Sequence, residues 1–489
     1  MLRLRSRSDA NRLEPHVFRI AVVIVLGAIM SILDTTIVNV ALRSLSTDLG
    51  TSLDDIQWVV TAYLLALGAT IPLTGWLARR IGARRLYLIA LVVFIGGSAL
   101  CGLAWSAGSL IGFRVLQGLG GGMVMPVGQM ILVRAAGPKN LARVMSAIGV
   151  PMILAPVLGP TLGGLLIEHA GWQWIFFVNV PIGAVAVVAA LRLLPREAPE
   201  TAGPLDVLGF VLAGVGVVGV TYGLAESGHT GSLAATSVLV PLAIGLALIA
   251  VFVVRALRIE HPLLDMRLYA NRAFSAAALT TFALGAALFG GMILMPLYFQ
   301  IVRGDSVVET GLLLIPQGIG AALAMHYAGR ATERFGGGPT ALVGTVVMLV
   351  ATIPFTLIAD DTPYALINAA MFLRGFGLGL CMMPAWTAAF AVLRPDQVGD
   401  ATPQLTVVQR VGGSIGTAVL TVILQGHLDD AGRSASAQAT AFADTYLWVI
   451  GISLLAIAPT ILLTLVERRA ARDEHEAMDQ ARMAEEAVA

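Results

Sequence analysis

Apolar residues run along this chain in long blocks, broken by short polar stretches, with little of the alternation that would mark half-buried strands. About 20 mostly apolar residues suffice for a helix to cross a bilayer. Fourteen blocks qualify, at roughly 17–42, 56–78, 86–104, 109–133, 144–167, 174–191, 207–225, 234–254, 273–301, 310–329, 338–358, 364–391, 401–425 and 445–466. Gly and Pro are scattered through them, as membrane helices tolerate. The pattern predicts an all-α integral membrane protein with 14 transmembrane helices.

Composition agrees. Of 489 residues, 57% are hydrophobic and 12% charged, whereas soluble chains carry about 25% charged residues. So few charges could not cover the surface of soluble domains. The same numbers exclude a disordered chain. The net charge of +1 gives no electrostatic case for nucleic acid. Cys101 and Cys381 lie in apolar runs and read as small packing residues. With no Cys/His cluster, no metal or other cofactor is expected.

Placing the charges adds an orientation. With the N-terminus in the cytoplasm, 25 of the 31 basic residues fall on that side. Arg43, Arg303 and Arg433 fall outside, and Arg114, Arg374 and Arg410 lie within spans. Such a bias marks the cytoplasmic loops, so both termini are expected inside a cell's inner (plasma) membrane. The arginine-rich start followed by an apolar run resembles a signal peptide, but the run from Val17 to Leu42 is too long for one and is read as a retained first span.

Similar stretches recur in the two halves. QGLGGGMVMP (117–126) matches RGFGLGLCMMP (374–384), and GWLARRIGARR (75–85) matches GRATERFGGG (329–338) in position. Paired features suggest a transporter built from repeats. The expected layout is a cytoplasmic tail (1–16), a six-helix bundle (17–191), two added linker helices (207–254), a second pseudo-symmetric six-helix bundle (273–466) and a cytoplasmic tail (467–489).

Intramembrane charges are costly and mark function by default. Asp34 lies ~12 Å and Arg114 ~8 Å below the outer ends of their helices at 1.5 Å per residue, close enough in depth for an ion pair or a shared cavity. Burial raises a carboxyl's pKa and a neighbouring arginine lowers it, so Asp34 suits proton coupling. A structural Asp34, bonding Thr35, Thr36 or Asn39, is the competing reading. Gln117 shares a helix face with Arg114. Asn39, Gln117, Arg374, Gln409 and Arg410 are candidates for a polar cavity; for the two arginines, backbone carbonyls are the alternative partners. Pro156, Gly159, Pro160, Gly163 and Gly164 crowd one helix and suggest a hinge, or ordinary close packing. Trp58, Tyr63, Tyr298 and Phe299 are candidate cavity walls or interfacial anchors.

Four of these stretches together resemble the major facilitator superfamily, and specifically its fourteen-span drug:proton antiporters. LDTTIVNVAL (33–42), GWLARRIGARR (75–85), LIGFRVLQGLGGGMVMP (110–126) and APVLGPTLGG (155–164) stand in the family's order. GWQWIFFVNVPIG (171–183) and MPLYFQIVRGDSVVETGLLLIPQG (295–318) are similar to further signatures. The resemblance implies that Arg114 takes part in proton transfer and that Gly75, Arg79, Arg80, Gly82, Arg84 and Arg85 form a cytoplasmic gate loop. The family usually has an acid where Arg79 stands, which puts its usual gate latch in doubt here. Ala83, Arg43 and Ala155 are further departures.

The expected function is multidrug efflux. A proton-coupled antiporter, not an enzyme, would export hydrophobic or cationic drug-like small molecules. It would work as a monomer in the lipid bilayer, with the proton as coupling ion. A facilitator or exporter dedicated to one metabolite or lipid is the alternative, and a non-transporting scaffold or sensor is a third.

Overall fold

The computed structural model describes residues 14–196, 202–394, 396–432 and 434–488. Side chains are described throughout these stretches except at 53–54, 138–139, 147–148, 150–158, 160, 229, 307, 470–471 and 473–488. The described residues form helices and turns, without strands. In the first half these are α1 (Pro15–Asp48), α2 (Leu53–Thr70), α3 (Thr74–Ile81), α4 (Ala83–Gly102), α5 (Ala107–Ala170), α6 (Trp174–Phe177) and α7 (Asn179–Leu193). Two added helices follow, α8 (Val207–Thr230) and α9 (Thr236–Arg258). The second half comprises α10 (Arg272–Ile301), α11 (Val307–Phe335), α12 (Gly337–Thr352), α13 (Tyr364–Ala391), α14 (Val398–Ala431) and α15 (Ala435–Val488).

Thirteen helical stretches among the described residues are long and apolar enough to cross a membrane. Within α5, 64 residues long, the chain turns at Gly137 (φ 61°, ψ 175°), so residues 107–137 and 138–170 are two successive rods. The first rod is among the thirteen; the second is where the apolar pattern places the fifth crossing, so the architecture accords with fourteen. Local chemistry sets many of the ends. Ser52 caps α2, Ser106 and Ser109 form a capping box on α5, and Ser306 with Glu309 does the same on α11. Pro72 sits in a short 3-10 turn (Ile71–Leu73) that separates α2 from α3 within a single predicted span.

In the first half α1, α2 and α4 pack on α5; in the second, α10 packs on α14 and α15, and α11 and α12 on α13. The added pair, central in sequence, is peripheral in space. Its α8 lies against α2 and α14, while only 17% of the apolar window of α9 is buried.

The halves meet in two ways. The long helix α5 runs against α11 and α13, and α3 with its preceding 3-10 turn packs on α14 at the arginine-rich end of the bundle. Among the described residues, α1 and α2 make no comparable packing against α10 or α14. Toward the opposite end a cleft therefore separates α1 and α2 from α10 and α14, while α5 and α11 still meet there at Gly164 and Val308; the basic end is closed.

Candidate functional site

Asp34 sits midway along α1, fully buried, and all its hydrogen-bond partners are donors. Arg114 Nη1 donates to Asp34 Oδ2 at 2.6 Å, Gln117 Nε2 to Oδ1 at 2.8 Å and Asn179 Nδ2 to Oδ1 at 3.0 Å. The partners are tied down in turn. Arg114 Nη1 also donates to Gln117 Oε1 at 2.7 Å, and its Nε donates to the Val59 carbonyl at 3.1 Å. Asn179 donates to Ser98 Oγ at 3.1 Å, and that hydroxyl donates to the Phe176 carbonyl at 2.9 Å. The guanidinium carbon lies 3.9 Å from the centre of the Tyr63 ring and 5.7 Å from that of Phe176, in cation–π range.

Donors from α5 and α7 thus converge on one carboxyl group of α1, and α2, α4 and α6 hold those donors in place. An ionised carboxylate only accepts hydrogen bonds, whereas a protonated one must donate. A cage made only of donors is complementary to the charged form. Adding a proton turns an acceptor into a donor facing donors and leaves Arg114 buried without its counter-charge. Removing one partner of a buried ion pair costs about 3–5 kcal/mol, so the pair also holds α1 against α5.

The other expected cavity groups divide. Gln117 belongs to this cage, not to an open cavity. Asn39 is exposed on α1 and has no bond to the cage. Arg410 is exposed midway along α14 and lies within electrostatic range of Tyr63 across the cleft. Arg374, by contrast, is buried; its Nη1 lies 3.5 Å from the Gly291 carbonyl, and its Nε has no partner among the described residues. Gln409 is buried with its amide 3.6 Å from the Met382 sulfur. Arg374 and Gln409 therefore serve packing between second-half helices and do not line the cleft.

The four aromatic candidates are engaged in packing between helices. Tyr63 is buried beneath Arg114. Trp58 stacks on Tyr222 of α8, ring centres 5.9 Å apart, and so binds the added pair to α2. Tyr298 and Phe299 are buried in the second half: the Tyr298 hydroxyl donates to the Ala359 carbonyl at 2.6 Å, and Phe299 packs on Tyr364. Large rings fill gaps between helices wherever a flat apolar surface is offered, and sequence does not separate that use from lining a cavity.

In the second rod of α5, Gly159 packs against Thr36 and Gly163 against Ile37, both on α1, while Gly164 faces Val308 on α11. The backbone here stays helical. Pro156 and Pro160 lie outside the residues whose side chains are described.

The closed end carries an inverted latch. Arg79 Nη1 donates to Asp400 Oδ1 at 2.6 Å, joining α3 to the first turn of α14. The departure at position 79 therefore leaves a latch in place, with its cation on the first half. Asp400 escaped the sequence reading because the apolar block begins at 401, while the helix begins at Val398. Gly75 makes the contact close: a β-carbon there would lie 2.5 Å from the Gly399 carbonyl oxygen. Gly82 turns the chain between α3 and α4 at φ 88°, a conformation open to glycine. Arg84 bonds the Leu191 carbonyl, and Arg80 and Arg85 are exposed. A second pair crosses the halves at this end, Arg143 to Glu333 at 2.7 Å.

Comparison with known proteins follows this geometry. Residues 24–417 match the family model described as Major Facilitator Superfamily. The chain is 43% identical over 423 residues to a "Multidrug resistance protein B homolog" of Mycobacterium tuberculosis, covering 86% of this chain and 78% of that one. It is 31% identical over 404 residues to a "Putative multidrug resistance protein MdtD" of Serratia proteamaculans, covering 82% and 84%. Its fold is similar to the human organic anion transporter MFSD10 (TM-score 0.64, 15% identity, covering 92% and 100%) and to the proton:xylose symporter XylE (TM-score 0.61, 14% identity, covering 91% and 97%).

Proposed function

Because the chain belongs to the major facilitator superfamily, a family of multi-pass membrane transporters and not of enzymes, we propose that it is a proton-coupled exporter of hydrophobic small molecules. The observation that carries this reading is the Asp34 cage: one buried carboxylate whose donor set fits only its charged form, held beside a cleft closed at the basic end. That end is assigned to the cytoplasm by its arginines. A proton arriving from outside neutralises Asp34, releases Arg114 and Gln117, and loosens α1 from α5. Rocking of the halves then opens the Arg79–Asp400 latch and exposes the cleft to cytoplasmic substrate. Loss of the proton inward restores the cage and drives the return with substrate aboard.

Substrate would meet mostly apolar walls with few polar groups. Arg410 refines the charge preference. Asp34 is neutralised by Arg114 and Arg374 is buried among second-half helices, so the cation on α14 is the one of the three intramembrane arginines that is exposed. Neutral and anionic amphiphiles are favoured over permanent cations, which narrows the expectation from sequence.

The test is substrate-stimulated proton movement in proteoliposomes carrying the purified protein. Export undiminished after the proton gradient is collapsed overturns the coupling. Asp34→Asn should abolish it while the protein still inserts.

A further inference from the structure

A cavity of about 620 Å³ lies between the added pair and the second half, away from the Asp34 cage. Its walls are apolar, among them Val217 of α8, Phe252 and Val253 of α9, Leu264 and Val407 of α14. Three side chains with polar atoms interrupt them, Arg267, Tyr269 and Gln404. Gln404 is 98% buried, its Nε2 donates to the Asp265 carbonyl at 3.2 Å, and its Oε1 has no donor among the described residues. The bond through Nε2 fixes which end of the amide is the acceptor. A buried acceptor left unmet costs about 1–3 kcal/mol, so the site asks for a hydroxyl or amine at that point.

The charge around the mouth points to an anion. Arg267 spends one nitrogen on the Ile259 carbonyl and is otherwise exposed. Arg258 and Arg272, close in the chain to the lining residues Leu257 and Ala270, are exposed at the same end. Four acids share a cleft with Arg267: Asp206 pairs with Arg255, Asp400 pairs with Arg79, Asp265 caps its own turn by accepting from the Arg267 backbone N–H, and Glu260 is exposed, so the three arginines outnumber the acids not already engaged. Burial pushes the Tyr269 phenol up to about 12, so it adds no negative charge. The apolar depth is bounded by α9, whose outer face is bare and therefore bathed in acyl chains.

We infer that this cavity binds an anionic glycerophospholipid with a hydroxylated headgroup, of which phosphatidylglycerol is the simplest. Its phosphate meets Arg267, a glycerol hydroxyl donates to Gln404 Oε1, and an acyl chain fills the space between α8, α9 and α14. Basic pockets between membrane helices suit lipid headgroups in this way. Gln404 stands one turn beyond Asp400, so the bound lipid braces α14 at its latch and ties the peripheral pair to the moving half.

Native mass spectrometry of the purified full chain, released from mixed phosphatidylglycerol and phosphatidylcholine, tests this. Wild type should retain phosphatidylglycerol at least tenfold over phosphatidylcholine, and over phosphatidic acid by a smaller factor, since that lipid lacks the glycerol hydroxyls. Arg267→Ala should lose about tenfold in retention. Val253→Trp, which fills the cavity, should retain none while melting in phosphatidylcholine nanodiscs at the wild-type temperature. Should Val253→Trp fail to fold, Arg267→Ala decides. Equal retention of the two main lipids by wild type, or unchanged retention in Arg267→Ala, overturns the assignment. Displacement of the lipid by an exported dye would make the cavity a substrate site and overturn it as well.

Discussion

Replacing Asp34 by Asn changes one atom of the cage and removes its charge. The asparagine carbonyl can still accept one bond, but its amide adds a donor where Gln117 and Asn179 already donate to Oδ1. Arg114, fully buried, then keeps only neutral acceptors: Val59, Gln117 and at most the new amide oxygen. Breaking a buried pair from one side costs about 3–5 kcal/mol. Removing both charges, in Asp34→Asn with Arg114→Gln, leaves ordinary amide mismatches at about 1–3 kcal/mol each. Thermal unfolding in detergent should rank wild type first, the double variant second and Asp34→Asn last. The interaction between the two sites should lie at the upper end of the 0.5–3 kcal/mol seen for contacting residues. Proton flux in proteoliposomes should be lost in both variants, because restoring packing does not restore a titrating group. Additive melting effects would refute the paired cage. Substrate-driven proton flux in Asp34→Asn would refute the role of the carboxyl.

The latch at the basic end should behave as a reversible charge pair. Arg79→Asp places two carboxylates together and should cost about 2–5 kcal/mol of closure, while Arg79→Asp with Asp400→Arg should recover most of the transport rate in a vesicle assay. Gly75→Val drives a side chain into the Gly399 backbone and should hold the basic end open; a cysteine introduced at Thr402 should then react faster with a reagent applied from the cytoplasmic side. Arg410→Glu should shift the ratio of organic-cation to organic-anion export upward by about tenfold, which is ~1.4 kcal/mol at the substrate and reasonable for one charge reversed in a wet cleft; an unchanged ratio in a competition assay would remove Arg410 from substrate selection.

The helices were legible because membrane spans are written in uninterrupted apolar length, and thirteen stretches among the described residues are long and apolar enough to cross. Breaks inside spans were less so. Pro72 interrupts a block whose hydropathy never falls, so α2 and α3 read as one. The pairing of Asp34 with Arg114 could be anticipated from their matching depths, since two lone charges in hydrocarbon need each other. The rest of the cage could not: Ser98 is one small hydroxyl in an apolar run, and only the lone amide of Asn179 among apolar neighbours hinted at a buried task. The aromatic residues were left between two readings, because their size serves gap filling and cavity lining alike. The latch hid behind a boundary error of three residues at the start of α14, where a polar first turn precedes the apolar run.

The inverted polarity of the Arg79–Asp400 contact makes the two halves of this chain mutually specific. A first half borrowed from a relative with the usual acid at that position would bring its carboxylate against Asp400, and the gate would repel itself at the moment it should close. Exchange of halves between such relatives should thus weaken closure at this contact, although the cage lies wholly within the first half and would be carried over intact. Arg79 and Asp400 lie 321 positions apart in sequence, so a borrowed half that is to close this gate must bring the complementary charge with it.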